Sequence, residues 1–492
     1  MTHANLVLLA CLAFIVTYGL VVHAFLAVGI DLPGMARLAL LAIAAVVPFV
    51  LAFLARRRSP HREGRRASTA EKRMLLGCLA LAVIVLVPIG IALITTGPRE
   101  WDGRVAWELR AVRLSTGGYF QPFFTEIGVY SPAREYPLLQ PLVLADLSRI
   151  VGLETARFVF PALFVVLVVG IFGTLERGLG RPVAILMAAS FFVLPGFIGT
   201  GAGNIDSGYG ELIVALFLCG VGSALAGAPG SSRTTRWQTA LFCVSVAGLP
   251  MLKPEGTAYA WLALIAGIHA LPKHGVVLGS VFTGISCGLV AAVRAHAIPM
   301  QAERIVLVAC APLVVILMRA ALDSVPAARR ALRTVIVAGT VGLLIAATLM
   351  LVTVSGSMDA VVDGGFARVA SRLRDLPRML LGSVAVAFDV RKFALLWGLT
   401  ALALASRSRT ADGQRALGAF VVLGLVAAFA SLFLVPENDL DHELVSRFDR
   451  LLLQWTAPAW VFVGLRLFTT EELHLASPHG RIIPRNDNEP RS

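Results

Sequence analysis

Charged side chains that could take part in a reaction lie at the ends of long apolar segments. A carboxylate held where such a segment meets water can remove a proton from a hydroxyl group. A cation at the same depth can stabilise the charge that develops on a phosphate. Together they suit the attack of a hydroxyl on a sugar whose leaving group is a lipid phosphate. The candidate acids are Asp102, Asp206 and Glu255, and the candidate cations are Lys253, Arg447 and Arg450.

Each of these residues also has an ordinary structural explanation. Asp102 can cap the helix that follows it, because aspartate is favoured at helix starts. Lys253 can extend its ammonium group from a helix end toward water. Asp206 and Glu255 can be polar loop residues, and the two arginines can pair with neighbouring acids on a solvated surface. Residue type and spacing alone leave both explanations open.

The densest group of acids, bases and aromatic residues lies between residues 97 and 152, after the apolar run Met74–Thr96. Within it, the apolar residues of Trp101–Leu114 share one helical face, which predicts a short helix lying on the membrane surface. The apolar stretch from Tyr136 to Val151 is short for a full crossing, so we predict a re-entrant or interfacial helix there. This region is the expected site of any chemistry.

The composition excludes an ordinary soluble domain. The chain is 57% hydrophobic and 15% charged, whereas soluble domains carry about 25% charged residues. Its apolar runs are continuous rather than alternating, and many approach the roughly 20 residues that a helix needs to cross a bilayer. The six cysteines lie singly, without the spacing of a disulfide framework or a metal site. We therefore predict an all-α polytopic membrane protein.

The distribution of positive charge predicts the orientation of the chain. Residues 56–73 contain eight Lys and Arg residues against two acids, which is typical of a cytoplasmic loop. Two predicted crossings precede this loop, so the N-terminus is expected in the cytoplasm and residues 97–152 outside. Alternation over about 12–14 crossings then places the C-terminus in the cytoplasm and the candidate acids outside. Loop charge of this kind accounts for the net charge of +13 without nucleic acid.

The predicted organisation has three parts. Residues 1–73 form a two-helix hairpin followed by the basic cytoplasmic loop. Residues 74–470 form the transmembrane catalytic domain, and residues 97–152 form its outer loop. Residues 471–492 are polar and contain several prolines, which predicts a disordered cytoplasmic tail. The expected location is the cell membrane, the inner membrane of a bacterium.

Four motifs resemble, in order, those of the GT-C glycosyltransferases, the superfamily of protein mannosyltransferases and lipid A aminoarabinose transferases. Residues 101–111, Trp-Asp-Gly-Arg-Val-Ala-Trp-Glu-Leu-Arg-Ala, are similar to the aspartate-bearing first outer loop of that family. Residues 135–141, Glu-Tyr-Pro-Leu-Leu-Gln-Pro, resemble its Tyr/Pro-Pro-Leu segment. Residues 252–256, Leu-Lys-Pro-Glu-Gly, resemble its Thr-Lys-x-Gly signature, and residues 446–450, Ser-Arg-Phe-Asp-Arg, its Arg-aromatic segment.

The resemblance implies a GT-C-like helical bundle, a polyprenyl-phosphate-sugar donor and inversion at the anomeric carbon. It implies that Asp102 is the general base and that Asp206 is a second catalytic carboxylate on the outer face. Lys253 and one of Arg447 or Arg450 would hold the lipid phosphate. The motifs also contribute five expected substrate-binding residues: Trp101, Arg104, Glu135, Tyr136 and Glu255.

Cofactor and acceptor stay undecided at this level. Many members of the superfamily have Asp-Glu in the first loop, whereas Gly103 follows Asp102 here. A divalent cation bound by Asp102 and Asp206 is one option. The expected partners are the donor, membrane lipid and an acceptor outside the cytoplasm, which can be a glycan, a lipid or a protein.

Two other classes of protein fit part of the pattern. A lipid or glycan transporter or flippase also has many crossings, but such proteins usually place ionisable residues or broken helices near the middle of the membrane. In this chain most acids and bases lie in loops or at helix ends. A non-catalytic membrane scaffold is the other alternative, and it gives no reason for three acids at outer helix ends.

Overall fold

A computed structural model describes residues 3–57, 68–101, 103–125, 136–199, 203–208, 210–227, 232–297, 302–325, 372–406, 412–434, 440 and 444–468. In these ranges the chain forms helices and short connections, without a strand. The predicted all-α class is therefore confirmed. Residues 333–354, counted among the 12–14 predicted crossings, and the predicted tail at 471–492 lie outside the described residues.

In the described part of the chain, six helices are long and apolar enough to cross a membrane: His3–Ala27, Thr69–Thr96, Leu153–Leu179, Lys273–Ala295, Ala302–Ser324 and Gly413–Ser431. Shorter apolar helices span Gly34–Val46, Arg181–Val193, Glu211–Leu225, Leu376–Ala387 and Leu396–Ala405. The chain is thus a membrane protein, as its composition predicts.

The helices follow one another with short connections. The longer ones are His3–Ala27, Gly34–Arg57, Thr69–Thr96, Val159–Leu179, Glu211–Leu225, Ser232–Gly248, Pro254–Ala270, Lys273–Ala295, Asp412–Ser431 and Asp449–Leu467. The shorter ones are Leu109–Thr116, Pro122–Thr125, Leu139–Val151, Leu153–Ala156, Arg181–Ser190, Pro195–Ile198, Ala302–Cys310, Leu313–Ser324, Leu376–Ala387, Val390–Phe393 and Leu396–Ala405.

Two apolar stretches contain a break in the helix. The candidate span Ala302–Ser324 consists of helices Ala302–Cys310 and Leu313–Ser324, and Pro312 between them lacks the N–H group that an unbroken helix needs. Helices Val390–Phe393 and Leu396–Ala405 are separated at Ala394, whose φ of 49° lies in the left-handed region.

Helix Glu211–Leu225 is the centre of the bundle. It is apolar on every face after its first residue, and all of its residues are buried, as expected for a helix surrounded by others. It packs against Val159–Leu179, Ser232–Gly248, Asp412–Ser431 and Asp449–Leu467. Its N-terminal residue, Glu211, is therefore an acid held inside the protein.

The outer segment differs in detail from the single helix predicted for Trp101–Leu114. It consists of a π-helical turn, Gly103–Glu108, followed by the α-helix Leu109–Thr116. A second π-helical turn, Leu444–Phe448, precedes helix Asp449–Leu467. Short π-helical turns occur mostly as insertions in α-helices and are frequent at functional sites. The predicted short helix after Tyr136 is present as Leu139–Val151.

A buried ionic network attaches the outer segment to the first two helices. Asp146 of helix Leu139–Val151 is fully buried and pairs with Arg37 at 3.3 Å and with Arg149 at 2.8 Å. Both arginines also donate to the backbone carbonyl of Leu114, in the last turn of Leu109–Thr116. Helix C-termini carry unpaired carbonyl groups and favour nearby cations. The network therefore fixes the end of this outer helix.

Candidate active site

Lys253 lies between two carboxylates at the start of helix Pro254–Ala270. Its backbone is extended (φ −149°, ψ 156°) and Pro254 occupies the first helical position, where proline is favoured. The ammonium nitrogen Nζ lies 2.7 Å from Glu211 Oε1 and 3.2 Å from Glu255 Oε1. Lys253 and Glu211 are 5% and 1% exposed. This buried ion pair joins the central helix to the Lys253–Glu255 motif.

The electrostatics of this group keep it charged. Burial by itself disfavours the charged forms, lowering the pKa of a lysine and raising that of a glutamate. For Lys253 the burial effect is outweighed by Glu211 and Glu255, and its pKa is raised. For Glu255 the burial effect is outweighed chiefly by Lys253, with a contribution from Arg447, and its pKa is lowered. Lys253 is therefore a permanent cation.

Aromatic side chains cover the lysine. The Tyr136 ring centroid lies 6.0 Å from Lys253 Nζ, within the range of a cation–π contact. Trp107, from the π-helical turn, packs on Tyr136 with ring centroids 5.4 Å apart. A Cβ at Gly210 would lie 3.3 Å from the Trp107 ring and 3.4 Å from Lys253 Cδ. The lack of a side chain at Gly210 allows these groups to approach.

The two predicted arginines lie at the start of the last described helix, Asp449–Leu467, and in the turn before it. Arg447 belongs to the second π-helical turn, and Arg450 Nε donates to the Ser446 carbonyl at 2.7 Å. Arg447 is close enough to Glu255, and Arg450 to Lys253, to act on their ionisation. Among the described residues, this group comprises three cations and the two carboxylates Glu211 and Glu255. It thus has one positive charge in excess.

Asp206 lies in a neighbouring loop and is partnered by an arginine. Its Oδ2 is 2.9 Å from Arg99 Nη2, and its backbone carbonyl accepts the Arg99 N–H at 2.9 Å. Its Oδ1 is buried and has no hydrogen-bond partner among the described residues. Burial raises the pKa of Asp206, and Arg99 opposes part of that rise. A buried carboxylate oxygen without a donor is suited to accept a proton or a hydroxyl hydrogen bond.

The backbone at Gly103 brings the first outer loop against the Asp206 loop. A Cβ at Gly103 would lie 1.8 Å from the Ser207 carbonyl oxygen, and its Cα is 3.4 Å from the Cβ position of Gly208. No side chain fits in such a gap, so glycine is required there. Gln140 Nε2 also donates to the Gly208 carbonyl at 3.0 Å. The two loops and the Lys253 group thus adjoin one another.

The other predicted site residues are placed differently. Trp101 is 58% exposed, and Arg104 is exposed, with its Nε donating to the Pro98 carbonyl. Neither contacts Lys253. Asp102 and Glu135 lie outside the described residues, so their roles stay predictions. Of the predicted residues, the structure groups Tyr136, Lys253, Glu255, Arg447 and Arg450, and it pairs Asp206 with Arg99 instead.

Sequence reasoning missed Glu211 and Arg99. The available signal for Glu211 was an acid in the first turn of a membrane helix, since ionisable residues in such helices usually have a function or a partner. Arg99 precedes Asp102 in the same polar segment, but its partner Asp206 lies far away in the sequence. Only the packing of the two loops shows the pair.

The described residues do not form a site for a divalent cation. They contain no group of three or more His, Cys, Asp and Glu side chains placed to bind one. Asp206 Oδ2 is paired with Arg99 instead, and Asp102, the other predicted ligand, lies outside the described residues.

No protein-family model and no curated protein matches the chain. The fold is similar to the crystal structure of the Archaeoglobus fulgidus oligosaccharyltransferase in its apo form, with a TM-score of 0.47, 15% identity and coverage of 82% of this chain and 51% of that one. It is also similar to the same enzyme in complex with Zn and sulfate (TM-score 0.44, 15% identity, 80% and 50%). A third similar structure is the archaeal oligosaccharyltransferase in complex with an inhibitory peptide and a dolichol-phosphate (0.44, 15%, 81% and 51%).

This chain spans about half the length of those oligosaccharyltransferase chains.

Proposed function

We propose that the chain is an integral membrane glycosyltransferase that moves a sugar from a polyprenyl-phosphate donor to an acceptor outside the cytoplasm. The observation that carries the proposal is the buried cation Lys253, held between Glu211 and Glu255 beneath Tyr136 and beside two arginines. The motif resemblance implies that Lys253 and one of Arg447 or Arg450 hold the lipid phosphate.

The charge of the site supports a phosphodiester leaving group. A polyprenyl-phosphate sugar has one negative charge, and the described group around Lys253 has one positive charge in excess. As the bond between the sugar and the phosphate breaks, negative charge increases on the phosphate oxygens. A buried cation interacts with this charge more strongly than a cation in water, because the local dielectric is low. Lys253, Arg447 and Arg450 therefore stabilise the leaving group in this proposal.

An apolar cavity next to the site suits the lipid part of the donor. It lies between helices His3–Ala27, Leu139–Val151 and Val159–Leu179, where Phe14, Leu144 and Leu163 contribute to its lining. Gln140 and Leu252 also line it; Gln140 bonds to the Asp206 loop and Leu252 precedes Lys253. An isoprenoid chain in this cavity would end beside the proposed phosphate ligands.

The proposed reaction is a single displacement. The acceptor oxygen attacks the anomeric carbon, and the bond from that carbon to the phosphate oxygen breaks, with its electron pair leaving on polyprenyl phosphate. The hydroxyl proton passes to a carboxylate, and the transition state has oxocarbenium character, as in glycoside hydrolysis. Attack opposite the leaving group inverts the configuration of the sugar.

Two acids are candidates for the general base. The motif resemblance assigns it to Asp102, whose neighbour Gly103 packs on the Asp206 loop. Asp206 Oδ1 is buried without a hydrogen-bond partner among the described residues, and the pKa of Asp206 is raised by burial; both properties favour proton acceptance. A general base of this kind contributes about 10²–10⁴-fold to the rate.

The experiment is a transfer assay with purified protein in lipid nanodiscs. The protein is incubated with labelled polyprenyl-phosphate sugars and a membrane extract as the source of acceptors, and glycosylated products are identified by mass spectrometry. We expect label in a product that is absent with Asp102→Asn and Asp206→Asn. The proposal would be contradicted by folded wild-type protein that transfers none of the supplied sugars. It would also be contradicted if Asp102→Asn and Asp206→Asn both transferred as much sugar as the wild type.

A further inference from the structure

Arg157 connects two membrane helices to the first outer loop. It lies two residues before helix Val159–Leu179, and its side chain contacts the end of helix Thr69–Thr96. There its Nη1 donates to the carbonyl groups of Leu93 and Ile94, at 3.1 and 3.4 Å. The last carbonyl groups of a helix lack partners within the helix and favour a nearby cation. Arg157 therefore fixes the end of the helix that leads into the first outer loop.

The same guanidinium holds the π-helical turn Gly103–Glu108. Its Nη2 pairs with Glu108 Oε1, and its Nε donates to Glu108 Oε2 at 3.3 Å. Such paired contacts between a guanidinium and a carboxylate fix direction as well as distance. Both side chains are 12% exposed, so salt and water screen the pair only partly. One side chain thus joins the helix end to the turn.

The two contacts of Arg157 lie before and after the segment that carries the first candidate base. Asp102 falls between them in the sequence. The same segment contains Arg99, which pairs with the second candidate, Asp206. A base must stay within hydrogen-bond reach of the hydroxyl whose proton it takes. For either candidate, the position of this segment therefore determines whether the base is within reach.

Arg157 is also attached to the wall of the apolar cavity proposed for the donor lipid. Its backbone carbonyl accepts the Phe160 N–H at 3.2 Å. Phe160 lines that cavity together with Val159 and Leu163 of the same helix. The side chain of Arg157 thus holds the outer segment, while its backbone is bonded to the helix that borders the cavity.

We propose that Arg157 is a positioning residue: it holds the segment 97–108 at a fixed distance from the donor cavity, so that the base reaches an acceptor placed against the donor sugar. Arg157 itself binds neither substrate in this role. The effect on transfer rests on the proposed function, whereas the attachment of the segment does not. A pair that only stabilised the fold would act on the whole bundle, and this difference can be measured.

The first experiment measures the attachment without any reaction. Hydrogen–deuterium exchange of the purified protein in nanodiscs is followed by mass spectrometry for a peptide covering residues 97–108. In this segment the backbone N–H groups of Arg99 and Arg104 are hydrogen-bonded. We expect at least about tenfold faster exchange of the peptide in Arg157→Met, because several hydrogen bonds that hold the segment are lost. Exchange in the buried helix Glu211–Leu225 should not change.

The matched control is Arg177→Met, which removes an exposed arginine near the other end of helix Val159–Leu179 and should exchange like the wild type. Two results would overturn the attachment: unchanged exchange of residues 97–108 in Arg157→Met, or an equal acceleration in helix Glu211–Leu225. If Arg157→Met does not fold, Glu108→Ala replaces it, since it removes the contact to the loop and keeps the contact to the helix end. The same acceleration is then expected, and its absence would overturn the proposal.

The second experiment measures the effect on transfer. In the transfer assay, Arg157→Met should lower kcat by about 10²-fold, the typical effect of a displacement of about 1 Å. The KM for the donor and the stoichiometry of polyprenyl phosphate binding should equal those of the wild type, and Arg177→Met should equal it in every respect. Misfolded protein would lower the binding stoichiometry together with kcat, so the two measurements separate positioning from loss of folded protein.

A normal kcat in Arg157→Met, or a fall in kcat matched by an equal fall in binding stoichiometry, would overturn the positioning role. If the wild type transfers no sugar, the proposed function fails and the effect on transfer fails with it. The exchange experiment still decides in that case whether Arg157 attaches the segment.

Discussion

At the scale of single residues, Lys253 is the most constrained position of the candidate site. Its ammonium group is buried, contacts two carboxylates and lies under an aromatic ring. A lysine that only reached toward water would be exposed at its tip, and this one is not. The structural and the catalytic explanations of Lys253 can be separated by experiment, because its buried partner Glu211 can be neutralised together with it.

We predict that Lys253→Met is both unstable and inactive. Removing one partner of a buried ion pair leaves Glu211 charged and unpaired, which typically costs about 3–5 kcal/mol. The double variant Lys253→Met with Glu211→Gln should recover much of the melting temperature, since the fully buried position 211 no longer holds an unpaired charge. Transfer should stay about 10²–10³-fold lower in both variants, because the phosphate ligand is missing.

The control for this prediction is Lys273→Met. Lys273 is exposed and is the first residue of helix Lys273–Ala295, which follows helix Pro254–Ala270. The stability and the transfer rate of Lys273→Met should therefore equal those of the wild type. Thermal unfolding and initial transfer rates in nanodiscs provide both measurements. A stable double variant with normal transfer would exclude Lys253 from catalysis.

For Asp206 we predict a pH effect that depends on Arg99. A carboxylate must be ionised to accept a proton, so transfer should fall on the acid side as Asp206 becomes protonated. Burial raises the pKa of Asp206, while the Arg99 guanidinium opposes part of that rise. Replacing Arg99 by Met removes the opposing charge and raises the pKa of Asp206 further. The acid limb of kcat should therefore move to higher pH in Arg99→Met.

The measurement is the pH profile of kcat for the wild type and for Arg99→Met at saturating donor. Arg104→Met is the matched control, because Arg104 is exposed, lies in the same segment and bonds to the Pro98 carbonyl instead. An acid limb in Arg99→Met that does not move, or that moves to lower pH, would count against Asp206 as a base.

At the scale of elements, the contact between the first outer loop and the Asp206 loop sets the geometry of the site. It is a contact of backbone with backbone at Gly103 and Ser207, so neither side can relax by changing a rotamer. We predict that Gly103→Ala separates the loops and lowers kcat/KM by about 10²-fold, the typical effect of a displacement of about 1 Å. The melting temperature should also fall, because the added methyl group forces two backbone segments apart.

Gly77→Ala is the matched control for Gly103→Ala. Gly77 lies in helix Thr69–Thr96, and a Cβ there would meet nothing within 4 Å. Alanine favours a helix by about 1 kcal/mol relative to glycine, so this variant should be as active as the wild type and slightly more stable. Normal transfer by Gly103→Ala would show that the contact between the loops is not needed.

The sequence predicted some of these elements and not others, for physical reasons. Lys253 and Glu255 are two residues apart at a helix start, so local spacing places them together. The Glu211–Lys253 pair joins residues 42 positions apart, and only the packing of the central helix brings them into contact. The π-helical turn at Gly103–Glu108 was also missed, because its apolar spacing is close to that of an α-helix. The site as a whole stays a prediction.

At the scale of the whole molecule, the proposed orientation can be tested independently of catalysis. The proposal places residues 97–152 outside the cell and the connection before Lys273 in the cytoplasm. In a variant without its native cysteines, Arg113→Cys and Lys273→Cys introduce one thiol each at exposed positions. We predict that a membrane-impermeant maleimide labels intact cells only at position 113 and labels both positions after the cells are opened. Labelling of position 273 in intact cells would reverse the orientation.

The ion pair between Glu211 and Lys253 also has a consequence for the biosynthesis of the protein. The ribosome produces Glu211 before Lys253, so for an interval of 42 residues the nascent chain contains an acid without its cation. The helix that begins with this acid is hence poorly suited to remain alone in lipid. Its release into the bilayer is favoured after Lys253 has emerged. The helix pair Glu211–Leu225 and Ser232–Gly248 is therefore expected to insert together with the pair Pro254–Ala270 and Lys273–Ala295.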